Sequence, residues 1–244
     1  MPDALTELFA ENLSVFGTRV DGRAADRLAQ YHTLLCAWNE HINLTGDTAI
    51  ETAMTRLYMD SLAPLARDGL FAQGATLIDV GSGAGFPGLP LAIARPDLRV
   101  TLLDSLAKRV AFLREVVTKL ELPNVVAIHA RAEDAARDAR LRETFGVAVA
   151  RAVASAPVLL ELLLPFVRVG GITVGYKGPA AADELTKANR AARLLGGGEA
   201  AALPVAVPGQ PDWQHCVLVC RKLLPTLATY PRKAGTPARD PLGG

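Results

Sequence analysis

A ten-residue run, Asp79-Val80-Gly81-Ser82-Gly83-Ala84-Gly85-Phe86-Pro87-Gly88, constrains this chain more than any other stretch. The residues from Ala75 to Ile78 lead into it with strand character, and Pro87 to Ala94 follow with the pattern of a helix start. Strand, glycine turn and helix in that order build a nucleotide-type site at the carboxyl edge of a sheet. Glycines there let a ligand lie against the backbone, and the free N–H groups of the helix start point at it. Two fingerprints overlap. Gly83-x-Gly85-x-x-Gly88 matches dinucleotide binding, whereas Asp79-x-Gly81-x-Gly83-x-Gly85 matches the first motif of S-adenosylmethionine-dependent methyltransferases. Asp79 favours the second, because a carboxylate repels a pyrophosphate and attracts the ammonium of an amino-acid-bearing cofactor.

Around this loop the pattern alternates. Arg99–Asp104, Asn124–His129, Val147–Ala150 and Gly171–Tyr176 read as further strands. Helices are expected after Ser105, from Ala132 to about Glu143, and from a Ser155 cap through Val167. Residues 182 to 195 read as another helix, ended by Gly196-Gly197-Gly198, and Ala201–Val207 with Gln214–Cys220 form a closing antiparallel pair. The pattern predicts an α/β Rossmann-like fold with a seven-stranded, mostly parallel sheet. Ahead of it, Leu5, Leu8, Phe9 and Phe16, then Leu28, Tyr31, Leu35 and Trp38, recur at helical spacing. Thr48-Ala49-Ile50-Glu51 fits a capping box for a third helix running through Leu57 and Leu62. The expected division is a helical cap over 1–70, a catalytic domain over 71–224 and a basic, proline-rich tail over 225–244. The cap either packs on the core alone or roofs the substrate site.

The 244 residues carry a net charge of only +1, which neither supports nor excludes a nucleic-acid partner. Three scattered cysteines exclude a disulfide framework or zinc site, and Glu161 divides the longest apolar run. With no secretion signal at its start, the chain reads as soluble and cytoplasmic.

In such a sheet, ligands collect beyond the carboxyl ends of the strands. The residues there are Asp79 with Gly81, Gly83, Gly85 and Phe86; Asp104, Ser105 and Leu106; Ala132 and Glu133; and Arg151. Asp104 lies about twenty residues beyond the glycine loop, where an acid takes the ribose hydroxyls, or else it caps a helix. Ala132 and Glu133 suit the adenine ring and its edge, or the first turn of a helix. Arg151 follows a buried strand at once, so a ligand or an ion-pair partner must compensate it. Arg151 and Lys177 are the positioning candidates, with no general base assigned. Lys177, Arg232, Lys233 and Arg239 are candidate contacts to RNA phosphates, although a disordered terminus would have the same composition.

The fourth strand ends in Ala150-Arg151-Ala152, without the Asn/Asp-Pro-Pro-aromatic run of exocyclic-amine methylation, and no Pro-Cys nucleophile follows a strand. An acceptor that carries no proton, such as guanine N7, fits this set.

The matching stretches Trp38-Asn39, Asn43-Leu44-Thr45, Asp60-Ser61-Leu62, Ile78–Pro90, Leu103–Arg109, Arg131-Ala132-Glu133, Ala150–Ala154, Tyr176-Lys177-Gly178 and Tyr230–Lys233 make the chain resemble the RsmG (GidB) family of bacterial 16S rRNA guanine-N7 methyltransferases. The resemblance implies S-adenosylmethionine at Gly81, Phe86, Asp104 to Leu106, Ala132-Glu133 and Arg151. It also implies a single methylation of a guanine in the 16S rRNA of the small ribosomal subunit. No metal, no membrane and a monomer are expected. The family usually has His three residues before its Asp-Ser, where this chain has Leu57. A nicotinamide-dependent oxidoreductase, a small-molecule methyltransferase and a non-catalytic assembly factor remain alternatives to it.

Overall fold

The computed structural model describes residues 3–46, 48–151 and 154–243. Its centre is a seven-stranded sheet in the order β3-β2-β1-β4-β5-β7-β6. The strands are β1 (Thr76–Val80), β2 (Arg99–Asp104), β3 (Val125–His129), β4 (Phe145–Arg151), β5 (Val167–Lys177), β6 (Gly197–Val207) and β7 (Gln210–Lys222). The first five run parallel, and β7 is antiparallel to both β5 and β6. The strand order reverses between β1 and β4, so the ligand crevice of such a sheet opens there, above Asp79 and Val149.

Successive side chains along a strand face opposite sides, and both sides of this sheet are buried. On β1 and β4, Leu77, Val147 and Val149 enter one core, shared with the amino-terminal helices and with helices Gly88–Ala94 and Ala107–Lys119. Ile78, Val80, Ala148 and Ala150 enter the other, under helices Ala156–Leu163 and Leu185–Leu194. The amino-terminal lobe therefore shares a core with one face of the sheet. Its aromatic centre reaches the glycine loop: Tyr31 and Tyr58 pack against Phe86 at ring-centroid distances of 5.4 and 5.2 Å.

Several local expectations are corrected. The third helix begins at Ile50 with Ala49 at its cap position and no side-chain cap bond, so the capping box on Thr48 does not form. It continues as a π-helical segment over Met54–Met59 before Asp60–Leu62. Ser105 does not cap the following helix; Leu106 holds the cap position, and the Asp104 carboxylate accepts its N–H at 2.8 Å. Ser155 occupies the cap position of its helix, but Glu184 accepts the Ala156 N–H. The helix expected to reach Glu143 ends at Ala135. Beyond it, Arg137 and Arg142 turn aside to donate to carbonyls of the carboxyl-terminal segment, at Pro231, Tyr230 and Thr226.

That segment is ordered against the core rather than free. Glu161 is fully buried in its helix, and Arg232 compensates it from the tail with N···O distances of 3.0 and 2.8 Å. A buried carboxylate without such a partner would cost several kcal/mol. The tail's proline-rich composition thus describes a packed strap, with Pro237 buried.

Candidate functional site

The glycine loop is held from three sides. Gly81, Gly83 and Gly85 have φ of +77°, +58° and +102°, so any other residue would be strained at these positions. The Gly81 N–H donates to the Leu103 carbonyl at the end of β2. The Gly83 N–H donates to Asp104 at 2.9 Å, and Tyr31 donates from the helical lobe to the Ala84 carbonyl at 2.5 Å. Gly88 is a packing glycine: a Cβ there would stand 2.4 Å from Leu102 Cδ2 and 2.7 Å from Asp79 Oδ2. The third glycine of the apparent dinucleotide fingerprint is therefore explained by helix-on-strand contact.

Asp79 lies under the loop, fully buried, and accepts the Gly88 N–H at 2.9 Å through Oδ2. Its Oδ1 is the one buried side-chain N or O atom among the described residues with no hydrogen-bond partner. Burial pushes this carboxyl up to about 7, against the opposing pull of the Gly88 N–H.

Next to the loop is a cavity of about 130 Å³ lined by Gly81, Asp104, Ser105, Ala132 and Glu133 together with Val80, Leu103, Ala130, Arg131 and Leu162. Five of the residues expected from the sequence meet here. Asp104 is buried, with Oδ2 on Gly83 and Oδ1 on Leu106. A carboxylate has about four lone-pair directions, so two remain for ligand hydroxyls. Its capping and binding readings are thus compatible. Glu133 accepts the Gly235 N–H at 3.1 Å, which ties the tail to the rim of this cavity. Leu106 is exposed and contributes its main chain rather than a lining side chain.

Arg151 is not among the residues lining this first cavity. Extending the Asp79–Val149 register by two residues sets it opposite Gly81, on the far side of the loop. Its Nη1 donates to the Arg56 carbonyl at 2.7 Å and to Asp60 Oδ2 at 3.2 Å, and its guanidinium lies 5.3 Å over the Phe86 ring. The compensating partner expected for Arg151 is therefore an ion pair. Asp60 Oδ1 in turn contacts His215 Nδ1 at 2.8 Å, and Tyr176 donates to the Ser61 carbonyl at 2.7 Å. A second cavity of about 270 Å³ opens among Arg56, Asp60, Arg151, Tyr176, Lys177 and His215.

Arg56, Asp60, Tyr176 and His215 are site residues that sequence reasoning does not single out. Asp60 and Tyr176 stand inside recognisable motifs, but nothing local ties either to His215. An imidazole does reach Asp60 in this chain, that of His215 on β7. Among the RNA candidates, Lys177 is paired with Glu184 at 2.8 Å, and Arg232 is committed to Glu161 and Asp240. Arg232 thus anchors the tail to the core, while Lys233 and Arg239 lie exposed. Ala152 and Val153, part of the turn after β4, fall outside the described residues. Cys216 and Cys220 sit on β7 with thiols pushed up by burial, Cys220 to about 11, which suits packing rather than nucleophilic work.

The sheet with its antiparallel seventh strand, the glycine turn after β1 and the acid after β2, together with the family match that follows, make this a Rossmann-like, S-adenosylmethionine-dependent methyltransferase. The family model for rRNA small subunit methyltransferase G matches residues 24–208. Curated relatives named ribosomal RNA small subunit methyltransferase G include those of Roseiflexus sp., 42% identical over 97% of this chain and 99% of that one, and Alkaliphilus metalliredigens, 43% identical over 93% and 94%. That of Clostridium perfringens is 46% identical over 87% and 88%. This chain belongs to the rRNA small subunit methyltransferase G family. Among solved structures, the S-adenosylmethionine-dependent methyltransferase SibL in its apo form superposes with a TM-score of 0.53 at 18% identity, over 71% of this chain and 57% of that one. A chain of the Haloferax volcanii complex containing the Trm112 methyltransferase activator gives 0.53 at 12%, over 80% and 98%. Likeness at that identity speaks for the fold alone. Among the described residues, no helix is long and apolar enough to cross a membrane, and no cluster of His, Cys, Asp or Glu is placed to hold a metal.

Proposed function

We propose that this methyltransferase modifies N7 of a guanine in the 16S rRNA of the small ribosomal subunit. The observation that carries the reading is the pair of cavities on either side of the Gly81–Arg151 seam, in a chain of this family. The residues present fit the cofactor. Gly81, Asp104, Ser105, Ala132 and Glu133 would hold the adenosine half, and the unpartnered Asp79 Oδ1 would be satisfied by an ammonium. When bound, S-adenosylmethionine supplies an electrophilic methyl on its sulfonium.

The N7 lone pair carries no proton, so no side chain has to act as a base. The protein's task is alignment and exclusion of water. Arg151 fixes the end of β4 against Asp60 and Phe86, and the helical lobe closes over the loop through Tyr31. Lys233 and Arg239, both exposed, would meet RNA phosphates, whereas Lys177, paired with Glu184, would act as a positioning group at the cavity wall. The same reading takes the protein to act in the cytoplasm and as a monomer.

The test is incubation with methyl-labelled S-adenosylmethionine and small subunits lacking the modification, followed by mapping of the labelled base. Label on one 16S guanine, released as 7-methylguanine, is the expected result. Label on another base, or none, overturns the reading.

A further inference from the structure

We infer that the second cavity receives the target base and that Asp60 selects guanine by accepting its N1–H and N2–H. The inference rests on the proposed methylation of guanine and goes beyond it by assigning the residue that reads the base.

Among the described residues, six line the cavity: Arg56, Asp60, Arg151, Tyr176, Lys177 and His215. Among them Asp60 is the only carboxylate, and it is held rigidly. Arg151 occupies one position on Oδ2 and His215 one position on Oδ1. Two of its roughly four lone-pair directions remain for a ligand. The Tyr176 hydroxyl is already donating to the Ser61 carbonyl, and Lys177 faces Glu184 and the Ala154 carbonyl. The wall thus offers a fixed, two-oxygen acceptor.

Guanine is the one RNA base with two adjacent donors, N1–H and the N2 amino group. Adenine and cytosine present a bare ring nitrogen beside their amino group, and uracil presents a single N–H between two carbonyls. A carboxylate therefore pairs in bidentate fashion with guanine and meets a lone pair in adenine or cytosine. The N1–N2 edge also lies across the purine from N7, so this mode leaves N7 clear of Asp60. Methylation at N7 makes the purine cationic and its N1–H a stronger donor. The Asp60 contact then tightens as charge develops, which is the property a catalytic interaction needs.

The rim suits an unstacked base. Trp213 stacks on His215 with ring centroids 4.8 Å apart and planes at 25°, and Arg56 lies 5.8 Å over the Trp213 ring. Aromatic and guanidinium planes beside a polar cavity are how proteins hold splayed-out RNA bases.

The experiment uses the full chain saturated with S-adenosylhomocysteine and titrates guanosine, inosine and adenosine 5′-monophosphates by NMR. Inosine keeps N1–H and lacks the N2 amino group. In the wild type, guanosine monophosphate should bind about tenfold tighter than adenosine monophosphate, with inosine monophosphate between them. In Asp60→Asn the difference between guanosine and inosine monophosphates should shrink to about twofold or less, while S-adenosylhomocysteine affinity is retained. Equal wild-type affinities for the guanosine and adenosine nucleotides overturn the inference. So does a guanosine–inosine difference that survives in Asp60→Asn. Should that variant not fold, the wild-type order of the three nucleotides decides alone. Mapping of label to a 16S guanine would stand through any of these failures, so the two readings fail separately.

Discussion

The cavity beside Gly81 is walled largely by consecutive residues at strand ends and by backbone turns, whereas the one beside Asp60 is walled by side chains from distant segments. In the first, glycine dihedrals and two main-chain bonds to Asp104 set the shape. In the second, Asp60 joins Arg151 and His215, ninety-one and 155 residues further along the chain. A backbone-built site tolerates loss of a side chain but not the gain of one. A site built from mutually bonded charges fails in the opposite way, because each removed partner strands another.

Gly81→Arg presses hardest on that contrast. An arginine at a position with φ of +77° would strain its backbone, and its side chain would stand at the wall of the 130 Å³ cavity, in the space a cofactor needs. S-adenosylmethionine affinity should fall at least ~100-fold by calorimetry, more than the positive-φ strain alone would cost. Unchanged affinity would place the cofactor elsewhere and dissolve the comparison.

Arg151→Ala should cost the second cavity about 2 kcal/mol in unfolding free energy, since it leaves buried Asp60 with His215 alone and takes the donor from the Arg56 carbonyl. Arg151 is partly solvated, which keeps the figure at the low end for broken buried pairs. Adding Asp60→Asn should return part of that loss, because the stranded charge goes with it. Chemical denaturation of the two single variants and the double variant checks this. Additive losses would mean that the network is not one unit.

The same contrast separates what is legible in the amino-acid sequence from what is not. The glycine turn, Asp104, Ser105, Ala132 and Glu133 lie in short motifs at strand ends, and periodicity alone orders those ends along one edge. Capping fails as a guide where another acid takes the cap bond: Glu184, twenty-eight residues away, at Ala156, and Asp104, two residues away, at Leu106. Arg232 reads as an RNA contact because charge composition says nothing of a buried acid seventy-one residues away in sequence. His215 carries no local signal, since its role exists only once β7 lies antiparallel beside β5 and faces the helical lobe.

Asp79 belongs to the backbone-built half, yet it holds that half's one strongly shifted charge, and it gives the finest test. Burial raises its carboxyl from 3.8 to about 7, so the folded protein holds a proton that the unfolded chain releases. The stabilisation is complete below about pH 4 and is lost as pH rises through about 7, where the buried site must ionise. Replacement by Asn keeps an acceptor for the Gly88 N–H and removes the titration. The melting temperature of Asp79→Asn minus that of the wild type should therefore climb by a few degrees between pH 4 and 8. Cofactor binding should run the other way. A ligand ammonium at Oδ1 requires the ionised form, so wild-type affinity should strengthen by severalfold from pH 5.5 to 8, while the Asn variant stays weak and flat across that range. Parallel profiles for the two proteins would show that Asp79 only braces the Gly88 turn, and that the ammonium is held by the main chain of the loop.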